Sequence, residues 1–138
     1  MTVIREQDYE SVVSFKKDII HNFAIARGQP FGYEQFAFDA LNDDERVGVI
    51  MCQMIYDWLY VDYLAVSEAA RGLGVGSQLL ERAEALAGEL GLRGVALDTF
   101  RYQAPDYYAA RGYVERMVIP GKVKERDRIY FQKALEGQ

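Results

Sequence analysis

The sequence holds one cysteine, one histidine and three prolines in 138 residues, and it has no surplus of positive charge. Each scarcity excludes something. A lone cysteine, Cys52, can form neither an internal disulfide nor a thiolate metal site, and its apolar surroundings read as packing. The lone histidine, His21, lies on a helical segment with no cysteine or carboxylate cluster at ligand spacing and reads as a structural or surface residue, so no metal is expected. Sixteen Lys and Arg against twenty-one Asp and Glu leave a net charge of −5. That sign argues against nucleic acid, whose binding requires a basic face, and favours a cationic partner. No apolar run approaches the ~20 residues of a membrane span, and the opening MTVIREQDYE is too charged for a secretory signal, so no membrane partner and a cytoplasmic location are expected. Half the residues are apolar, enough for one good core, so residues 1–138 are expected to form a single domain.

What is present concentrates between residues 58 and 90. Residues 58–66, WLYVDYLAV, are aromatic and β-branched with one charge, Asp62, and suit a largely buried strand. From Val75 onward Leu79, Leu80, Ala83, Leu86, Ala87 and Leu90 recur at spacings of three and four, the inner side of a helix, while Glu81, Arg82, Glu84 and Glu89 fall opposite. Between strand and helix stands Arg71-Gly72-Leu73-Gly74-Val75-Gly76. Three glycines in five residues weaken a helix start by up to ~1 kcal/mol each. The unpaired N–H groups of a first helical turn, with the positive end of the helix dipole, offer the compensation: phosphates can approach them where no Cβ intervenes, and Arg71 adds a fixed charge. The bland reading is a turn that merely reverses the chain, for which two glycines normally suffice.

The spacing discriminates among phosphate-binding loops. A P-loop requires Lys-Ser or Lys-Thr after its last glycine, where Ser77-Gln78 stands here. The dinucleotide fingerprint fits Gly72 and Gly74 but meets Ser77 at its third glycine, and residues 67–70 separate the loop from the strand. The pattern Arg-x-x-Gly-x-Gly, a short loop after a strand and opening an amphipathic helix, resembles the acetyl-CoA motif of the GNAT superfamily of N-acetyltransferases. A second stretch agrees: Ala104-Pro-Asp-Tyr-Tyr-Ala-Ala-Arg-Gly-Tyr113, after the strand Val95-Ala-Leu-Asp-Thr99, is similar to the later signature of that superfamily, in its short bacterial members. The Asn common a few residues before the tyrosine pair is replaced by a region holding Arg101 and Gln103.

The remaining chain reads as a short strand at residues 2–5, then a helix to about Ala26 with Val12, Phe15, Ile19, Ile20 and Phe23 on its inner side. Two strands follow, 34–41 and 47–56, joined by the acidic turn 42–45. After the central helix, the strand at 95–99 should run parallel to 58–66 through a right-handed crossover. A short helix at 104–111, closed by Gly112, leads to a final hairpin, 113–119 and 128–133. The expected fold is α/β: a central mixed, mostly antiparallel sheet with helices on both faces and a parallel strand pair around a coenzyme cleft.

The resemblance implies a use for these residues. It implies acetyl-CoA as co-substrate, held by Leu64, Ala65 and Val66 through backbone N–H groups turned outward by a β-bulge, and by Arg71, Gly72, Leu73, Gly74, Val75, Gly76 and Ser77 around the pyrophosphate. It makes Tyr108 the general acid for the departing thiolate and a further coenzyme contact, with Tyr107 expected to pack inward. It places Phe23, Phe31 and Tyr33 beside the acceptor. From alternation alone, Tyr56, Trp58, Tyr60 and Asp62 share one strand side, a row of aromatic faces ending in a carboxylate that could hold an ammonium. The resemblance implies a catalytic acidic base on this strand, at the place of Tyr60 with Asp62 two residues on, and Asp62 could equally be structural, paired to an arginine. The expected partner besides acetyl-CoA is a small amine, and a homodimer is compatible with it. Expected alternatives are a non-catalytic acyl-CoA-binding module, an acetyltransferase acting on protein lysines or N-termini, and a nucleotide-binding regulatory domain.

Overall fold

The computed structural model describes residues 1–30 and 32–135. The chain divides into two compact units, Met1–Gly32 and Tyr33–Gln138. In the first, a 3-10 turn at Tyr9–Val12 runs into α1, Val13–Ala26. The guanidinium of Arg27 sits 3.6 Å above the Phe23 ring, and Gly28, at φ 69°, ends the helix. Taken by itself this unit buries none of the helix's residues. The strand expected at residues 2–5 does not form. Four residues with two apolar side chains carry no local reason to be extended without a partner strand, and none pairs with them among the described residues.

The second unit is a six-stranded mixed sheet in the order β1-β2-β3-β4-β6-β5. Its first three strands, β1 (Tyr33–Asn42), β2 (Glu45–Ile55) and β3 (Trp58–Val66), form an antiparallel meander. The turn Asp43-Asp44 has φ of 51° and 65°, the positive values that two-residue hairpins need to match strand twist. Tyr56 also has positive φ, 54°, and lies in the β2–β3 turn, so it is not part of the aromatic row expected on β3. The helix α2 (Val75–Glu89) then crosses over to β4 (Gly94–Phe100), which runs parallel to β3. After α3 (Pro105–Ala109), β5 (Val114–Ile119) and β6 (Arg128–Ala134) form the closing hairpin, and β6 inserts between β4 and β5.

The core lies between α2 and one face of the sheet. Leu79, Leu80, Ala83, Leu86 and Ala87 of α2 bury against Ile50, Cys52, Leu59, Val61, Val95, Leu97, Ile129 and Phe131, and Tyr108 and Tyr113 complete the cluster. At ~25 cal/mol per Å² of apolar surface, each large side chain buried here contributes roughly 1.5–3 kcal/mol. Leu59 and Val61 point into this core, so Trp58 and Tyr60 occupy the opposite face. The Tyr113 hydroxyl donates to Glu84 Oε2 at 2.9 Å, and Lys133 Nζ reaches Glu84 Oε1 at 3.1 Å, tying α2 to β6.

Burial raises three acidic groups of this core. It pushes the Cys52 thiol up to about 12, with help from Asp62, and the Tyr108 phenol up to about 12, with help from Tyr107 and Asp98. Burial and the Glu84 carboxylate push Tyr113 up as well. The folded chain therefore holds these protons more tightly than the unfolded chain, so the associated stability is complete below about pH 9 and is lost as pH rises through about 12. Urea unfolding at pH 8, 10 and 11 should show stability falling steeply above pH 9, with a shallower fall in Cys52→Ala; an equal slope in both proteins would refute the assignment to Cys52.

Candidate active site

The site is set by a fork in the sheet. Strands β3 and β4 pair only from Trp58↔Gly94 to Val61↔Leu97. Beyond that point β4 continues against β6 alone. On the other side of β3 the register with β2 jumps from Met51↔Tyr63 to Cys52↔Val61, which leaves Asp62 as the extra residue of a β-bulge. The bulge sits at Asp62, earlier on the strand than the end expected from the sequence. Past it Leu64 packs toward the core, and the strand edge of residues 62–66 that faces β4 has no strand partner. Backbone polar groups on that edge open into the gap and require another partner.

A cleft of about 720 Å³ enters this gap. Its walls are Leu64, Ala65 and Val66 of β3, Ala70, Arg71, Gly72, Gly74, Val75, Gly76 and Ser77 of the loop and α2, and Ala104, Tyr107, Tyr108 and Arg111 around α3. All of the residues expected at a coenzyme site line it except Leu73, whose side chain is exposed. The first α2 bond runs from Gln78 N to Gly74 O, and no side chain caps the helix. The N–H groups of Gly72, Gly74, Val75, Gly76 and Ser77 therefore have no hydrogen-bond partner among the described residues. Two guanidiniums, Arg71 and Arg111, share this wall with the positive end of α2, and no carboxylate lines it. Such an arrangement repels cations and is relieved by an anion.

The glycines are needed for two different reasons. Gly72 and Gly74 each have φ of +81°, and a Cβ on either would meet no protein atom within 4 Å; it is the left-handed backbone that favours glycine. Gly76 has ordinary backbone, and a Cβ there would stand 2.9 Å from the Tyr107 hydroxyl. Its small size serves the approach of α3, a role the motif alone does not reveal.

On α3 both tyrosines border the cleft, which corrects the expectation that Tyr107 packs inward. Tyr107 is half-buried, and its hydroxyl lies 3.2 Å from Ser77 Oγ. Arg111 donates to the same Ser77 oxygen from Nε at 3.0 Å and Nη2 at 2.8 Å, and to the Tyr107 carbonyl from Nη1 at 2.9 Å, with its guanidinium 3.5 Å over the Tyr107 ring. Ser77 Oγ thus joins the Arg111 guanidinium to the Tyr107 hydroxyl at the cleft wall. Tyr108 is buried edge-on between Tyr107 and Tyr113, at ring distances of 5.3 and 6.0 Å. No described residue bonds its hydroxyl, and since no fully buried side-chain N or O among the described residues lacks a partner, that atom is not sealed in the core. The ring is held by packing and the hydroxyl is left for the cleft.

The loop before α3 is braced by residues that carry no motif. Gln103 Oε1 accepts from the Phe100 N–H at 2.9 Å and from the Thr99 hydroxyl at 3.4 Å. Asp127 binds Gly121 N at 3.0 Å and Arg101 Nη2 at 3.2 Å, and these contacts hold its carboxyl below the usual range. Asp62 accepts from Gln53 Nε2 at 2.8 Å, and no arginine pairs with it among the described residues. Phe31 lies outside the described residues, and Phe23 belongs to the first unit. Arg111 was missed from the sequence because its position in Ala-Arg-Gly-Tyr says nothing of the Ser77 hydroxyl thirty-four residues earlier.

Comparison with known proteins agrees with this geometry. Blasticidin-S acetyltransferase from Streptomyces morookaense is 42% identical over 77 residues, 55% of this chain and 57% of that protein. Acetyltransferase Atu2258 from Agrobacterium fabrum is 37% identical over 75 residues, 54% and 55%. The matches thus span a little over half the length of these curated relatives. The crystal structure of an acetyltransferase from Bacillus cereus superposes with a TM-score of 0.82 at 28% identity, covering 97% of this chain and 98% of that one. A sequence model of the acetyltransferase (GNAT) family matches residues 4–113, and the chain belongs to that family.

Proposed function

We propose that the protein transfers the acetyl group of acetyl-CoA to the primary amine of a small cationic molecule, by direct attack of the amine on the thioester. One observation carries the reading: five unpaired N–H groups and two guanidiniums belong to the loop and helix residues around a cleft that is also lined by a phenol whose hydroxyl no described residue bonds. That loop suits a pyrophosphate, and the unpaired edge of β3 suits an extended amide chain laid along it. Family membership supports acetyl transfer, and one relative takes its name from blasticidin-S rather than from a protein acceptor. With five N–H groups already unpaired, an anion binds without breaking any existing bond.

The thioester supplies the electrophile, and the residues of the chain supply the rest. Backbone N–H groups beside the bulge donate to the oxyanion that develops as the amine attacks. Tyr108 gives its proton to the departing thiolate; at about 12 its phenol stays protonated throughout the working pH range. Trp58 and Tyr60 offer aromatic faces to the ammonium, and Asp62 orients it. The amine attacks as the neutral base, and its proton leaves through water or the bulk.

Three results are expected. Gly74→Asp should lower acetyl-CoA affinity by ~10² or more in calorimetric titration, whereas Gly74→Asn, equal in size and tolerant of positive φ, should stay within about tenfold. Equal affinities would remove the anion from this loop. Tyr108→Phe should lower kcat by ~10² or more at nearly unchanged coenzyme affinity, with no inflection below about pH 11 traceable to this phenol, while Tyr107→Phe should instead weaken coenzyme binding. Wild-type kcat in Tyr108→Phe under single-turnover conditions would eliminate it as the acid. Finally, Asp62→Asn should raise KM for the amine more than it lowers kcat; unchanged kinetics from pH 6 to 9 would make Asp62 structural.

A further inference from the structure

We propose that a second hollow, on the sheet face turned away from α2, receives the acceptor, and that it selects an amine whose molecule also carries an oxyanion, a carboxylate or phosphate ester, bound by Arg116. The inference rests on the acyl-transfer reading and specifies its acceptor.

The hollow has a volume of about 270 Å³ and reaches Val61 and Leu97, the last residues paired before the fork. It therefore meets the gap between β3 and β4 from the side opposite Tyr108. Its aromatic walls are Trp58, Tyr60 and Tyr130, and its charged groups are Asp98 and Arg116. Asp98 is already neutralised: Arg128 Nη2 lies 2.8 Å from Asp98 Oδ2, with that guanidinium 5.2 Å from the Tyr130 ring centre. Arg116 is not. It has no hydrogen bond or ion pair among the described residues.

Arg116 stands at an irregularity of the backbone. Along the β5–β6 ladder the register jumps from Glu115↔Phe131 to Met117↔Tyr130, so Arg116 is the extra residue of a bulge. A regular ladder would have placed it opposite Tyr130. Residues opposite Tyr130 share the face of its ring, which lines the hollow, so the bulge keeps Arg116 beside that face while freeing it from the ladder, an unpartnered guanidinium at the hollow. Across the fork, Asp62 is a second bulged residue, and its carboxylate is held only by the neutral amide of Gln53. The face thus offers an unneutralised carboxylate on β3 and an unneutralised guanidinium on β5, separated by aromatic side chains. A molecule that carries both an ammonium, for the fork, and an oxyanion, for Arg116, matches that polarity. A simple cation leaves Arg116 unmatched.

Trp58 is the only tryptophan and lines the hollow, so its fluorescence reads binding without turnover. The protein is titrated with lysine and with cadaverine, its counterpart without the carboxylate, and with phosphoethanolamine and ethanolamine. In at least one pair the oxyanion-bearing amine should bind about tenfold tighter, and the pair that shows it distinguishes carboxylate from phosphate. Arg116→Ala should erase that preference and leave the counterpart within about twofold, and Arg116→Lys should restore part of it. In turnover Arg116→Ala should raise KM for the preferred amine about tenfold with kcat little changed. Equal or tighter binding of both counterparts, a preference that survives Arg116→Ala, or no Trp58 response to any of the four would overturn the proposal. Calorimetry with acetyl-CoA separates the two readings: loss of coenzyme binding with the Trp58 preference intact sinks acetyl transfer but not the hollow, and coenzyme binding without the preference does the reverse.

Discussion

Two parallel strands that stay paired for four residues and then separate are the constraint from which the remaining geometry follows. Their paired halves are held by α2, whose apolar side chains bury against both β3 and β4. Beyond Val61 and Leu97 each strand obeys a different neighbour: β4 stays on the β6 ladder while β3 stays on β2 through the bulge at Asp62. Separation leaves main-chain donors and acceptors with no partner in the sheet, which is costly wherever water is excluded. A gap of that kind is stable at the surface and becomes dry only when something fills it. The larger cleft and the hollow lined by Trp58 and Tyr130 open on it, one from each face.

The walls of the larger cleft are coupled rather than merely adjacent. Ser77 sits in the first turn of α2, and Tyr107 and Arg111 come from α3 and just beyond it; one hydroxyl, one phenol and one guanidinium lock the two helix ends together. Gly76 lets the phenol come close enough. A guanidinium beside a helix N-terminus is electrostatically unfavourable, and here stacking on Tyr107 and three short hydrogen bonds offset it. The second half of α2 is tied through Glu84 to Tyr113 and Lys133. Behind α3, the Asp127 bonds to Gly121 and Arg101 join the closing hairpin to the loop that presents the tyrosines. Position is thus imposed on Tyr108 by its neighbours, while its own hydroxyl stays uncommitted.

Much of this was legible where the signal is local. The bounds of β3 and α2 follow from a period of two giving way to a period of 3.6, and the Asp43-Asp44 turn follows from small acidic residues that tolerate positive φ. The phosphate-compatible loop followed from glycine spacing, because unpaired N–H groups at a helix start are a property of any helix. Other expectations failed because the deciding contact is remote. Residues 2–5 resemble a strand in composition but pair with none, Tyr56 belongs to a turn, and Tyr107 turns to the cleft because Ser77 and Arg111 wait there.

By itself, the sequence determined the order of the elements, the helix that opens on glycines, the sheet class and the family, since periodicity and motif spacing are written in adjacent residues. Tertiary structure alone decided where β3 and β4 part, that β6 enters between β4 and β5, which residues bulge, and that Gly76 yields space to a phenol. Those outcomes depend on register between strands and on side chains tens of residues apart. A one-residue slip in register reverses the face of every side chain beyond it, and no local pattern records such a slip.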